Sequence, residues 1–315
     1  MILDFRLITA DFRLRTMDYR AERRPLLTNK TMKTFISAKP LYNYLTANVT
    51  VNSVRETQAM AFMLLEHYLR LRNVDVLTDK PINSAIRQPD WDIVIERLNK
   101  NEPIQHIIGS ANFCGLDFRV SPSVLIPRPE TEELVRLIVK DFSDDEKKIS
   151  IVDIGTGSGC IAIVLDRFLP HAKVSGWDVS DEAISVAKDN ARQLLSEATF
   201  EKNDILQELD SIQKFDCIVS NPPYITYQEA LAMQPNVLRF EPHLALFVED
   251  NDPLLFYHAI ANFSLSALKP DGACYVEINE HFGEITLQLF INKGFKNVVL
   301  LQDIHGKDRF VKAQK

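Results

Sequence analysis

No stretch of this 315-residue chain approaches the run of about 20 apolar residues that a membrane-crossing helix needs. The N-terminus lacks a signal-peptide core, because arginines and aspartates interrupt it. Positive charge is not in excess: 36 Lys and Arg stand against 43 Asp and Glu, a net charge of -7. That balance argues against a protein that coats nucleic acid by neutralising phosphates. Cysteine is scarce, and Cys114, Cys160, Cys217 and Cys274 form no C-x-x-C pair. They sit in apolar surroundings and read as buried free thiols, which fits a reducing cytoplasm. His67, His171, His243, His258, His281 and His305 show no paired metal-ligand spacing, so no metal is expected. A cytoplasmic globular protein remains, with 46% hydrophobic and 25% charged residues and length enough for two domains.

The first 31 residues repeat "DFRL" at Asp4 and Asp11, with "DYR" at Asp18. They show no apolar seam and are expected to be a disordered tail or an overcalled start, with Met32 the functional start. Residues 32–104 read as a helical domain. The run from Ser53 to Arg72 opens with a Ser53/Glu56 capping box, and Met60, Met63, Leu64, His67, Tyr68 and Leu71 recur at helical spacing. Further helices are predicted over Trp91 to Lys100 and part of Ile36 to Asn48. Residues 105–130 read as a connector, with a hairpin over Phe113 to Val120 around Gly115 and then Pro122, Pro127 and Pro129. A helix opens near Thr131. From Ile149 strands alternate with helices, and the chain closes on a hairpin over Asn297 to Ala313. Residues 131–315 are therefore expected to form a doubly wound α/β sheet with an antiparallel addition at its end.

"VDIGTGSGC" joins the first of these strands to a helix. Gly155, Gly157 and Gly159, with Thr156 and Ser158 between them, would bring backbone close to a ligand at a helix N-terminus. The dinucleotide fingerprint requires a glycine where Cys160 stands, so this is a different loop. Asp178 ends the next strand, where a carboxylate can accept from both hydroxyls of a ribose. Asp153 precedes the loop, where it could face an ammonium or sulfonium; a phosphate cradle would not want it. Asp204 could accept from an adenine amino group, with Ile205 against the ring; alternatively it is an ordinary turn aspartate. The set points to S-adenosylmethionine rather than NAD.

"CIVSNPPYI" leaves a buried strand through Asn221, Pro222, Pro223 and Tyr224. The prolines stiffen the backbone and aim its carbonyls. Asn221 Oδ1 and the Pro222 carbonyl could accept the two hydrogens of a planar NH2 group and orient a poor nucleophile, with Tyr224 stacked on the plane. No strong base is required, because the alkylated nitrogen becomes acidic. The alternative is a plain proline-rich connection.

With these residues in place, the chain resembles the PrmC/HemK family, the protein-(glutamine-N5) methyltransferases of peptide chain release factors. "GSANFCGLDFRVSPSVLIPRPETEELV", "VDIGTGSGCIAIVL", "WDVSDEAISVAKDNA", "IVSNPPYI", "FEPHLAL" and "DIHGKDRFV" carry the resemblance, from about Ile104 to the C-terminus. NPPY alone is shared with amino methyltransferases of DNA and RNA; joined to "IPRPETE" it is much more specific. The resemblance implies a seven-stranded class I methyltransferase sheet behind an N-terminal helical substrate-recognition domain. It implies S-adenosylmethionine held by Asp153, Gly155 to Gly159, Asp178, Asp204, Ile205 and Asn221. The glutamine of a Gly-Gly-Gln loop would meet Asn221, Pro222, Pro223 and Tyr224, with Arg128 and Glu130 on the substrate side. The expected partner is a release factor, with no direct nucleic acid, no membrane and a monomeric state. The chain departs from the family at His106, at Asn279 in "VEIN", and in "LFVEDNDPLLFY", which lacks the usual glycines.

Two rival readings use the same residues. An adenine-N6 methyltransferase of DNA or RNA would need a basic recognition domain, and the chain is acidic. A binding module that keeps the fold without the chemistry sits poorly with a glycine loop and NPPY that are both intact. Because a Gly-Gly-Gln loop offers little side-chain surface, recognition is expected to fall to the helical domain and to exposed arginines such as Arg70, Arg72, Arg87 and Arg97.

Overall fold

The computed structural model describes residues 32–51, 53–143, 147–207 and 213–315. The DFRL echo lies outside the described residues. The chain divides into two compact units, Met1–Gly109 and Ser110–Lys315.

The first unit is helical: α1 (Ala38–Asn48), α2 (Val54–Leu69), α3 (Asn73–Leu77), α4 (Trp91–Asn99) and α5 (Ile104–Ile108). The capping box is present, with the Glu56 N–H on Ser53 Oγ at 3.3 Å and the Ser53 N–H on Glu56 Oε2 at 2.9 Å. α2 stops sooner than its sequence pattern, because Arg70 turns into the left-handed region at φ 55°. Leu71 leaves the helix yet stays buried, while Met63 faces solvent. Leu41, Leu45, Leu64, Leu65 and Trp91 make the core. Arg70, Arg72 and Arg87 are exposed as expected, but Arg97 is not. It is half-buried, with its Nε and a terminal nitrogen on the two oxygens of Glu102 at 2.7 and 2.5 Å.

The second unit opens with β1 (Ser110–Phe113) and β2 (Leu116–Arg119), an antiparallel hairpin turned by Cys114 and Gly115 at φ 49° and 78°. α6 (Pro129–Phe142) begins at a proline, which suits a first helical position. Then come β3 (Ile149–Ile154), α7 (Cys160–Phe168), β4 (Ala172–Asp178), α8 (Asp181–Leu194), β5 (Thr199–Lys202) and β6 (Phe215–Ser220). The stretch after NPPY folds into short pieces: β7 (Ile225–Thr226), α9 (Tyr227–Ala230), α10 (Pro235–Phe240) and β8 (Phe247–Val248). α11 (Leu255–Ala267), β9 (Leu268–Glu277), α12 (Gly283–Asn292), β10 (Lys296–Gln302) and β11 (Asp308–Gln314) complete it.

The seven-stranded sheet has the order β10-β11-β9-β6-β3-β4-β5. β5, β4, β3, β6 and β9 pair parallel, and β11 runs antiparallel between β9 and β10. Side chains alternate across it. Ile151, Val219 and Tyr275 face α6, α7 and α8, whereas Val152, Ile218 and Val276 face α11 and α12. The chain winds outward in both directions from the β3–β6 pair, so a crevice opens at the carboxyl ends of those two strands.

Gly176 on β4 keeps the floor of the crevice thin. A methyl group there would stand 2.6 Å from two atoms of the Phe200 ring and 2.6 Å from Thr156 Oγ1. Gly176→Ala is expected to lower unfolding free energy by about 1–3 kcal/mol. An unchanged urea midpoint would contradict this packing.

Candidate active site

β3 and β6 are in register, with Ile154 opposite Ser220, so the glycine loop and NPPY leave the sheet side by side. Ser220 Oγ ties the ends together by donating to the Ile154 carbonyl at 2.7 Å. The Gly155 and Thr156 N–H groups both bond the Trp177 carbonyl, at 2.8 and 2.9 Å. At φ 72° Gly155 is in the left-handed region, and a Cβ there would lie 3.9 Å from the Asn221 carbonyl.

A cavity of about 270 Å³ opens at this junction. Gly155, Gly157, Asp178, Asp204, Ile205 and Asn221 line it, and Pro222 and Pro223 close one side. Asp178 Oδ2 accepts from the Gly157 N–H and Oδ1 from the Ser180 N–H, each at 2.9 Å. Burial raises the Asp178 pKa, and those two N–H bonds oppose the shift. The carboxylate lines the cavity, where it can also accept from a ligand hydroxyl. Asp204 caps its own turn, with Oδ1 accepting from the Leu206 N–H at 3.0 Å. Ile205 packs on the α11 side of the core, beside the cavity-lining Phe256 and Ile260. Carboxylates at one end and an apolar slot at the other suit a nucleoside.

Other sequence-predicted residues sit elsewhere. Thr156, Ser158, Gly159 and Tyr224 are not in the cavity wall. Gly159 is a packing glycine at the start of α7, where a Cβ would stand 3.1 Å from both Ala187 and Phe200. Ser158 is buried, its carbonyl bonded by Asn190 Nδ2 at 2.8 Å. Asp153 is fully buried at the base of the loop, outside the wall. Its Oδ2 accepts from the Thr156 hydroxyl at 2.6 Å, and Oδ1 has no hydrogen-bond partner. Burial raises its pKa to about 7. Arg128 turns to Glu241, at 2.5 Å, and the same buried carboxylate takes the Ile126 N–H at 3.1 Å. IPRPETE and FEPHLAL are thus one structural unit, and Arg128 positions the loop that carries the cavity residues Pro242 and Leu244. Glu130 lies half-buried in the first turn of α6.

Asn221 and Tyr224 meet in a network that sequence reading missed. Asn221 Nδ2 donates to Thr131 Oγ1 at 3.0 Å, and Thr131 Oγ1 donates to Glu277 Oε2 at 2.7 Å. The Tyr224 hydroxyl donates to Glu277 Oε1 at 3.1 Å. Glu277 is 1% exposed. Burial raises its pKa to about 6, opposed by the Thr131 and Tyr224 bonds and by Arg309. Burial and the Glu277 charge push the Tyr224 phenol well up, so it remains a donor. Asn279, two residues beyond Glu277, donates to the Tyr224 carbonyl at 3.1 Å and to Glu229 at 3.0 Å. A glutamate within the apolar run of β9 was the one available signal, since buried carboxylates are rare unless partnered.

Comparison with known proteins adds independent findings. Residues 131–239 match the model of the methyltransferase small domain. A release factor glutamine methyltransferase of Bacteroides thetaiotaomicron is 46% identical over 82% of this chain and 93% of its own. Its namesake from Flavobacterium psychrophilum is 43% identical over 86% of this chain and 96% of its own. Among solved structures, the hMettl16 catalytic domain in complex with an MAT2A 3'UTR hairpin superposes with a TM-score of 0.50 at 20% identity, covering 64% of this chain and 75% of that one. That likeness is one of fold.

Asp178→Ala is expected to weaken S-adenosylmethionine binding by about 1.5–3 kcal/mol, the worth of charge-assisted bonds to two hydroxyls. Calorimetry returning the wild-type Kd would remove Asp178 from the site.

Proposed function

Since this chain belongs to the family of release factor glutamine methyltransferases, we propose that it methylates the side-chain amide nitrogen (N5) of the glutamine in the Gly-Gly-Gln loop of peptide chain release factors, with the Asn221–Tyr224 loop as receptor for that amide. The adenine-N6 reading is not favoured beside relatives that share this name. Among the described residues no helix is long and apolar enough to cross a membrane, and no His, Cys, Asp and Glu cluster could hold a metal. A release-factor substrate supports a cytoplasmic site of action, and a monomer is the simplest form for the proposed reaction.

S-adenosylmethionine fits the donor set: Asp178 and Asp204 present acceptors, Ile205, Phe256 and Ile260 an apolar slot, and the glycine loop an open backbone. Bound there, it supplies an electrophilic methyl group on a sulfonium. The residues of the chain do the rest. Asn221 spends its NH2 on Thr131, which leaves Oδ1 as an acceptor at the cavity wall. Oδ1 and the Pro222 carbonyl take the two hydrogens of the glutamine amide and hold its nitrogen in one orientation, removing the entropy of alignment from the barrier. Tyr224 lies outside the cavity wall and anchors the loop through its hydroxyl on Glu277. The alkylated nitrogen sheds its extra proton to water, so the site needs no strong base. The observation that carries this reading is the Asn221 amide, fixed by a buried partner beside the glycine loop.

Substrate choice is assigned to a wider surface, including the helical unit, because the Gly-Gly-Gln loop presents one side chain. Exposed Arg70, Arg72 and Arg87 support that assignment.

Asn221→Ala is expected to abolish transfer to release factor while S-adenosylmethionine still binds, because Asn221 meets the acceptor amide. Loss of cofactor binding in parallel with activity, read by calorimetry, would contradict that role. The intact enzyme is also expected to methylate whole release factor with a far higher kcat/KM than a short Gly-Gly-Gln peptide. Equal values by labelled-methyl assay would confine recognition to the loop.

A further inference from the structure

We infer that the ionised Glu277 carboxylate is the positioning residue that sets the polarity of the Asn221–Thr131–Glu277 chain, so that Asn221 meets its substrate as an acceptor. The inference rests on the reading that Asn221 receives the glutamine amide.

The argument is one of donor and acceptor counting. A carboxylate can only accept. Glu277 takes two hydroxyl protons, from Thr131 at 2.7 Å and from Tyr224 at 3.1 Å. Once the Thr131 proton is committed to Glu277, Thr131 Oγ1 can only accept from Asn221. That forces the Asn221 NH2 toward Thr131, at 3.0 Å, and turns Oδ1 the other way. Glu277, Thr131 and Asn221 all lie on the α6 side of the sheet, where Tyr275 and Val219 precede them in alternation on β9 and β6.

Protonating Glu277 reverses the chain. A neutral acid donates through one oxygen. With Tyr224 still donating to Oε1, the acid proton sits on Oε2 and points at Thr131. Thr131 then donates onward, and Asn221 must offer Oδ1 to it. The Asn221 NH2 now faces the cavity, where a glutamine can bind only with its carbonyl in place of its nitrogen. Binding survives and the reacting atom is misplaced.

The groups facing Glu277 hold it near this balance. Burial, and to a lesser degree Glu130 in the first turn of α6, raise its pKa to about 6, with the two hydroxyl bonds and Arg309 on β11 opposing the shift. Tyr257 on α11 donates to the Glu277 backbone carbonyl at 3.2 Å. Arg309 is fixed by Asp303, whose Oδ2 takes its Nε at 3.1 Å and whose Oδ1 takes the His305 and Lys307 N–H groups at 2.9 and 3.0 Å. The DIHGKDR turn thus supplies the cation that favours the ionised form.

The test uses the full chain, whole release factor and single-turnover methyl transfer. Glu277→Gln keeps shape and both hydrogen-bond positions but donates to Thr131 from its NH2. It is expected to slow transfer about 100-fold, the scale of a misplaced reacting atom. Release-factor KM and S-adenosylmethionine Kd should stay within about threefold of wild type, since the reversed chain leaves contact area intact. Wild-type transfer should fall off in acid with an apparent pKa of about 6, and Glu277→Gln should lose that limb. Thr131→Val should lose activity as well, with Thr131→Ser rescuing it. A Glu277→Gln enzyme that transfers at the wild-type rate, or that keeps the acid limb, overturns the inference if Asn221→Ala is inactive in the same assay. Full activity in Asn221→Ala overturns instead the premise that Asn221 receives the amide.

Discussion

The register of two neighbouring parallel strands governs this site. β3 and β6 pair with Ile154 opposite Ser220, so both strands stop at the same level and release their loops together. One loop bends at Gly155 and Gly157, through φ 72° and 54°, and the other is stiffened by Pro222 and Pro223. A slip of one residue would send Asn221 to the opposite face of the sheet, away from Thr131 and Glu277. The two loops divide the labour by stiffness as well as by chemistry. The glycine side can yield to a ligand, and the proline side cannot.

Around that pair the protein builds support from distant parts of the chain. Glu241 fastens Ile126 and Arg128 across 115 and 113 residues, and Glu277 fastens Thr131 across 146. Each is a buried carboxylate that collects two donors: both of Glu241's, and one of Glu277's, lie between Ile126 and Thr131. Removing a donor would strand a charge in the interior, so the connection is enforced by desolvation as much as by the bond itself. The segment from Ile126 to Thr131 is a brace between the two loops that edge the cavity.

Much of the architecture was legible in the sequence because it depends on near neighbours. The Ser53 capping box, a helix opening near Thr131, the hairpin around Gly115 and the alternating strands are local events, and the structure has them, with α6 beginning two residues sooner at Pro129. The glycine loop and NPPY were visible for the same reason. α11 went unread because it is apolar on nearly every face and shows little helical periodicity. Arg97 was expected to be exposed and is half-buried, because its partner Glu102 lies past the end of α4 and draws it in. Glu277, Thr131 and Glu241 could not be joined from sequence, since no spacing rule links residues more than a hundred positions apart. Thr156, Ser158 and Gly159 are expected at the ligand from their motif, and the structure puts them in buried positions outside the cavity wall.

The long spans within the Glu277 network have a kinetic side. Thr131 lies before the first strand of the sheet, whereas Glu277 ends β9, and Arg309 belongs to β11, a strand inserted between β9 and β10. During synthesis the glycine loop and NPPY emerge well before the carboxylate that orients them. Until β11 docks, β9 and β10 have edges with no partner, and Glu277 lacks its stabilising cation. Contacts of such sequence separation form late, because the loop entropy must be overcome first. The glycine loop and Asp178 can therefore be in place before the group that orients an acceptor amide, and a nascent chain that ends just past NPPY has Asn221 beside Thr131 but no Glu277 to set the direction of that bond.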